Sequence, residues 1–195
     1  MARLSKDDLM PDFNLLIAGR GRSPIGDIAE RASVTILWFM RFMGCGICKY
    51  DMHILSRDYG QFQALGAQVL VIMQSPEKTV LRETQSAPIP FDIVCDPDCV
   101  IYDALDVQAT GTKEERLPKS PEGIALLEYK KKELGRLGLE RGESEGRSEQ
   151  LPAIFIIDRS LRVLHAHYAE NSVDMPSPGE AADIIKHLGE ENWGD

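Results

Sequence analysis

The residues best suited to chemistry are two cysteines three positions apart, in the stretch Cys45-Gly46-Ile47-Cys48. They lie shortly after an apolar, β-branched and aromatic run, Val34–Met40, which is typical of a strand buried on both faces of a parallel sheet. A helix is predicted to begin at Cys45. The unpaired N–H groups and the positive dipole end of a helix stabilise a thiolate, which is the nucleophilic form of cysteine.

This placement predicts a redox reaction of the two thiols. Cys45 attacks a disulfide or another oxidised sulfur, and Cys48, about one helical turn further on, displaces the product and leaves a Cys45–Cys48 disulfide. Gly44 and Gly46 carry no side chain, so we expect room at the motif for an incoming sulfur atom. The alternative is a structural pair of buried thiols, since free cysteine often serves as a small apolar side chain.

A second pair, Cys95 and Cys99, occurs after a short apolar segment. It is either a second dithiol that relays electrons to the first pair or two unconnected thiols. All four cysteines together have a spacing loosely compatible with structural zinc. The helical context of Cys45 argues against zinc, and we expect no metal site and no cofactor.

The hydrophobic pattern predicts alternating strands and helices around these residues. Buried strands are predicted at Val34–Met40, Gln68–Met73, Phe91–Val94 and Ala153–Ile157, and a hairpin partner at Val163–Tyr168. Helices are predicted at residues 45–64, after Ser75-Pro76, from Asp96 to about Leu105, and after the capping box Ser177-Pro178-Gly179-Glu180. This order indicates an α/β fold: a mixed central sheet with helices on both faces.

Residues 109–150 differ in composition from the rest of the chain. Segments rich in Gly, Glu, Lys and Arg flank a predicted helix from Pro121 to Leu137, and Arg141–Gln150 is predicted to be an exposed loop. We interpret this region as an insertion into one domain that spans residues 1–195. A solvated helix without a function would give the same pattern.

The bulk composition restricts the kinds of partner. The chain has 195 residues, 43% of them hydrophobic, and a net charge of −9. An acidic surface repels polyphosphate, so nucleic acid is not an expected partner. No stretch is long and apolar enough to span a membrane, and no secretory signal is recognised. Four cysteines in two close pairs indicate redox use in a reducing compartment, so we expect a cytoplasmic protein.

Several segments in order resemble the thioredoxin-like superfamily, and specifically its peroxiredoxin-like (AhpC/TSA-type) branch. These segments are Pro11-Asp12-Phe13, Leu37-Trp38-Phe39, Cys45-Gly46-Ile47-Cys48-Lys49-Tyr50-Asp51-Met52, Phe91-Asp92-Ile93-Val94-Cys95-Asp96-Pro97-Asp98 and Leu151-Pro152-Ala153-Ile154-Phe155-Ile156-Ile157-Asp158. The resemblance covers about residues 11–188 without most of 109–150. It implies a thioredoxin-like fold in which the inserted helix precedes a strand that begins with a cis-proline.

The resemblance also implies roles for further residues. Pro152 is expected to be cis and to face the two cysteines, while the main chain of Leu151 beside it pairs with an extended substrate. Members of this branch typically carry Pro seven residues and Thr three residues before the reactive cysteine. Before Cys45 those positions hold Trp38 and Phe42, and before Cys48 they hold Arg41 and Cys45, so the usual peroxide site is incomplete. Arg41 is expected either to stabilise a thiolate or to extend into solvent at a strand end.

The leading hypothesis is therefore a thiol–disulfide oxidoreductase, with antioxidant activity as the broader role. A peroxiredoxin-like peroxidase that reduces hydroperoxides through the same cysteines is the first alternative. A non-catalytic redox sensor or adaptor, which binds a partner through residues 109–150, is the second. Expected partners are a disulfide-containing protein, a small thiol or a hydroperoxide, and a thioredoxin- or glutathione-type reductant. The sequence leaves a homodimer open.

Overall fold

A computed structural model describes residues 3–192; the predicted domain bounds also include residues 1–2 and 193–195, which lie outside that range. The strands in the described range are β1 (Asn14–Ile17), β2 (Gly21–Pro24), β3 (Val34–Phe39), β4 (Ala67–Met73), β5 (Asp92–Cys95), β6 (Ala153–Asp158) and β7 (Val163–Tyr168). The helices are α1 (Ile25–Ala29), α2 (Gly46–Asp58), α3 (Gly60–Ala64), α4 (Glu77–Ser86), α5 (Val100–Ala104), α6 (Lys113–Arg116), α7 (Pro121–Arg136) and α8 (Pro178–Asn192).

The strands form one mixed sheet in the order β2-β1-β5-β4-β3-β6-β7. Strands β3, β4 and β5 are parallel, whereas β6 runs antiparallel to both β3 and β7. This confirms the predicted mixed sheet and terminal hairpin. The β1–β2 hairpin was not predicted, because Gly19 and Gly21 in that segment indicate turns rather than strands.

The central strand β3 is buried along its whole length, as its sequence predicts. Its alternate residues face opposite sides of the sheet, because strand side chains have a period of two. Ile36 and Trp38 join the apolar cluster that contains Cys45 and Cys48, and Leu37 and Phe39 join the cluster on the other side. The sheet therefore separates two apolar layers, each covered by helices.

The inserted helix α7 packs against α2, so it is not a free solvated helix. Leu127 is buried on its inner face. Lys130 Nζ lies 2.7 Å from Asp51 Oδ1, which joins α7 to the helix that begins beside Cys45. None of the helices in residues 3–192 is long and apolar enough to span a membrane.

Candidate active site

Cys45 lies at the amino end of α2, as the sequence predicts. It is the N-cap residue, with extended backbone angles, and its Sγ accepts a hydrogen bond from the backbone N–H of Cys48 at 3.2 Å. The N-cap is the position where a polar side-chain atom satisfies the unpaired N–H groups of a helix. Here the sulfur of Cys45 has that role, which favours its negatively charged form.

Arg41 is the second group that stabilises a Cys45 thiolate. Its Nη2 donates to Cys45 Sγ at 3.0 Å, and its Nη1 donates to the Ser148 carbonyl at 2.5 Å. A hydrogen bond from the Cys48 thiol and the charge of Arg41 lower the pKa of Cys45 to about 6, against an opposing effect of burial. Of the two roles expected for Arg41, the structure shows contact with the sulfur.

Cys48 has the opposite environment. Burial, followed by its hydrogen bond with Cys45 and the charge there, raises the pKa of the Cys48 thiol well above its ordinary value. At neutral pH the pair therefore consists of one thiolate and one protonated thiol. The roles of nucleophile for Cys45 and resolving thiol for Cys48 require such a division, and they stay a prediction.

The expectation of an open motif is wrong, because both cysteines are covered. Cys45 is 1% exposed and Cys48 is 7% exposed. A Cβ atom added to Gly44 would lie 1.9 Å from the Glu143 carbonyl oxygen, and one added to Gly46 would lie 2.8 Å from Leu134 Cδ2. The two glycines admit the inserted segment rather than a substrate.

One part of this cover is the strap, our name for residues 141–150. Its side chains are mostly exposed, as predicted for this loop, but its backbone crosses the cysteine motif. The Gly142 N–H donates to the Gly44 carbonyl at 3.0 Å. Glu145 accepts hydrogen bonds from Ser75 and Thr79, and the Arg147 guanidinium pairs with Asp103. The strap is therefore held at several points over the site.

The expectation of a cis-proline at position 152 is wrong: the peptide bonds of the described residues are all trans. Pro152 immediately precedes β6, a position where a missing N–H is tolerated without a cis bond. The main chain of Leu151 is already bonded within the protein, its N–H to the Gln108 carbonyl and its carbonyl to Gln150 Nε2. Pro152 nevertheless lines the small cavity, about 20 Å³, at Cys45 and Cys48.

The second pair of cysteines is divided between the two sides of the sheet. Cys95 belongs to the apolar cluster of Cys45, whereas Cys99 belongs to the opposite cluster. Burial raises the pKa of Cys95 to about 12 and also raises that of Cys99. This arrangement favours two unconnected thiols. The residues that the structure describes contain no group of three or more His, Cys, Asp or Glu that could hold a metal ion.

The strap contacts are the part of the site that sequence analysis missed. Arg147 and Glu145 lie in a charged, glycine-rich stretch that resembles an ordinary surface loop. The one local signal was the pair of glycines beside Cys45, which we interpreted as space for a substrate. Asp51, which follows the motif, faces the small cavity and pairs with Lys130 of the insertion.

A mixed α/β sheet with a cysteine of lowered pKa at a helix N-terminus is the arrangement of a thiol-dependent redox protein. The sequence model of the AhpC/TSA family matches residues 7–166. The chain therefore belongs to the AhpC/TSA family. Thiol or peroxide substrates and a reductant are the general partners of such chemistry.

Similar solved structures agree with the fold. Peroxidoxin BcpB of Mycobacterium tuberculosis is 12% identical, with a TM-score of 0.66 over 95% of this chain and 97% of its own. A cysteine-to-serine variant of PrxQ from Xylella fastidiosa is 15% identical, with a TM-score of 0.65 over 98% of both chains. A protein described as thiol:disulfide interchange protein DsbE, from Chlorobium tepidum, is 19% identical, with a TM-score of 0.60 over 95% of this chain and 98% of its own. No curated protein matches the sequence.

Proposed function

We propose that the protein is a thiol–disulfide oxidoreductase in which Cys45 is the nucleophile and Cys48 is the resolving thiol. The observation that carries this proposal is the unequal environment of the two sulfurs. Arg41 contacts Cys45 directly, and the pKa of Cys45 is lowered while that of Cys48 is raised. Only one thiol is therefore activated, and the other keeps its proton until the second step.

The reaction proceeds in two exchanges. The Cys45 thiolate attacks one sulfur of a disulfide R–S–S–R′, so the S–S bond breaks and R′–S⁻ leaves while Cys45–S–S–R forms. Cys48 then loses its proton, attacks the Cys45 sulfur and expels R–S⁻, which leaves a Cys45–Cys48 disulfide. Two electrons pass to the substrate and both released thiolates can take up protons.

We propose that Pro152 shapes the space beside the sulfurs, with Leu151 available to a substrate only after its present hydrogen bonds break.

A peroxidase is the second candidate, and the match to the AhpC/TSA family favours it. The cavity of about 20 Å³ beside Cys45 and Arg41 has room for one water, so a hydroperoxide needs a small opening of the site to reach the sulfur. The thiolate would attack the terminal oxygen of a hydroperoxide, the O–O bond would break, and Cys45 sulfenic acid would form as the alkoxide leaves and takes up a proton from water. Cys48 would then displace water from that sulfur and close the disulfide.

Paired assays separate these functions. Dithiothreitol-driven reduction of insulin disulfides tests exchange, and consumption of hydrogen peroxide tests peroxidase activity, for the wild type, Cys45→Ser and Cys48→Ser. Cys99→Ser is the matched control because it removes a buried thiol from the opposite side of the sheet. We expect both site variants to lose insulin reduction and the control to keep it.

Activity that persists in Cys45→Ser would contradict both enzymatic proposals. A wild type that is inactive in both assays would favour the sensor or adaptor.

We propose a cytoplasmic location and a thioredoxin- or glutathione-type reductant, supported by the two close cysteine pairs in a small chain.

A further inference from the structure

A separate pocket of about 260 Å³ lies between α2, α6, α7 and the strap. Its apolar floor consists of Ile47, Leu117, Leu127 and Leu134. Five cationic side chains also line it: Arg41, Lys113, Arg116, Lys131 and Arg141. No acidic residue contributes to the lining, although the whole chain has a net charge of −9.

Two of these cations are not neutralised by neighbours. Arg116 pairs with Glu149 at 2.8 Å, and Lys131 pairs with Glu128 on the exposed side of α7. For Lys113 and Arg141, the described part of the chain shows no ion pair and no side-chain hydrogen bond. Unpaired cations above an apolar floor are the charge complement of a small organic anion.

The pocket adjoins the reactive sulfur. Arg41 and Ile47 line both this pocket and the small cavity at Cys45 and Cys48. Gly46 also lines the pocket and is the residue next to Cys45. A molecule held in the pocket is therefore one layer of side chains away from the nucleophile.

We propose that this pocket binds a small organic disulfide that carries two or more carboxylates, and that it delivers this substrate to Cys45. The cations lie on four segments of the chain, which suits several separated negative charges better than one. The methylene groups of such a molecule match the apolar floor. The proposal rests on the proposed thiol–disulfide exchange, and its chemistry is the two-step exchange above with R and R′ the carboxylate-bearing groups.

Three small disulfides of similar length test the inference: 3,3′-dithiodipropionate, which is dianionic, 2-hydroxyethyl disulfide, which is neutral, and cystamine, which is dicationic. The rate of oxidation of the reduced wild type is followed by intrinsic fluorescence, since Trp38 lines the cavity at the two sulfurs. Each rate is divided by the rate of the same disulfide with free dithiothreitol. We expect the dianion to be about tenfold or more faster than the neutral compound, and the dication to be slowest.

Charge-reversal variants test whether the preference for the dianionic disulfide arises in this pocket. Lys113→Glu/Lys131→Glu places two negative charges in the pocket, and we expect it to lower the dianion-to-dication rate ratio by about tenfold or more. Lys119→Glu/Lys132→Glu is the matched control: it makes the same change of net charge at exposed lysines of the same region that do not line the pocket. We expect this control to keep a ratio close to that of the wild type.

The outcomes distinguish this inference from the proposed function. Equal normalised wild-type rates for the three disulfides would overturn the anion pocket and leave thiol–disulfide exchange intact. An equal fall in the dianion-to-dication rate ratio for both double variants would also overturn the anion pocket. The preference would then arise from the net charge of the whole protein. Failure of all three compounds to oxidise Cys45 would instead overturn the proposed function.

Discussion

At the scale of single residues, Arg41 couples reactivity to the cover over the site. One guanidinium nitrogen donates to Cys45 Sγ and another donates to the Ser148 carbonyl in the strap. The guanidinium also lies over the Phe42 ring, 5.3 Å from its centroid. Because Arg binds through a rigid fork, movement of the strap and the charge balance at Cys45 are linked through this side chain.

Replacing Arg41 by Met keeps much of its volume but removes the charge and the donors. We expect the pKa of Cys45 to rise from about 6 toward the ordinary thiol range, with Arg41→Lys intermediate. The measurement is the pH dependence of thiolate ultraviolet absorbance, which needs no reagent to enter the site. Cys45→Ser identifies the contribution of this thiol. If the absorbance of Arg41→Met has the same titration midpoint as that of the wild type, the stabilisation of the Cys45 thiolate by Arg41 is contradicted.

At the scale of elements, the strap lies across the cysteine motif, where it restricts the approach of a large substrate. Its carboxylate Glu145 accepts from the hydroxyl groups of Ser75 and Thr79 beside the start of α4. Charge-assisted hydrogen bonds of this kind are among the stronger polar contacts of a protein. We expect these contacts to break before a protein disulfide reaches Cys45, whereas a small molecule needs a smaller opening.

Glu145→Ala removes this attachment. We expect Cys45 to be alkylated by a neutral maleimide about tenfold faster, because the loss of one anchored carboxylate favours opening by about 1.4 kcal/mol. Glu143→Ala is the control: it removes the same charge from the strap at an exposed side chain for which the described residues show no hydrogen bond. Equal alkylation rates in Glu145→Ala and the wild type would show that the strap opens independently of this contact.

At the scale of the whole molecule, sequence patterns predicted the strands and helices whose structure depends on residues close together in the chain. The strand predicted at Val34–Met40 is observed at Val34–Phe39, and the helix predicted at Pro121–Leu137 is observed at Pro121–Arg136. Hydrophobic periods and caps determine such elements locally. The strap contacts could not be predicted this way, since Ser148 and Arg41 are 107 positions apart and Glu145 and Ser75 are 70 apart.

The stability of the whole reduced domain reports on the Cys45 thiolate. Between about pH 6 and pH 8.5 the unfolded chain keeps a proton on this sulfur, whereas the folded protein does not, because the pKa of Cys45 in the fold is about 6. The free energy of unfolding must then increase as the pH rises through this range, and the contribution is lost as the pH falls through the folded pKa. Cys48, whose pKa is raised in the fold, is protonated in both states over the same range and adds no slope there.

Urea unfolding of the reduced wild type and of Cys45→Ser at several pH values measures this linkage. We expect the stability of the wild type relative to the variant to grow by about 3 kcal/mol across the window. The difference between the two proteins reports on Cys45, because burial, the largest cause of the raised pKa of Cys48, is present in both. A difference that stays constant with pH would mean that Cys45 is a protonated thiol in the folded protein, and the division of roles between the two cysteines would then lose its physical basis.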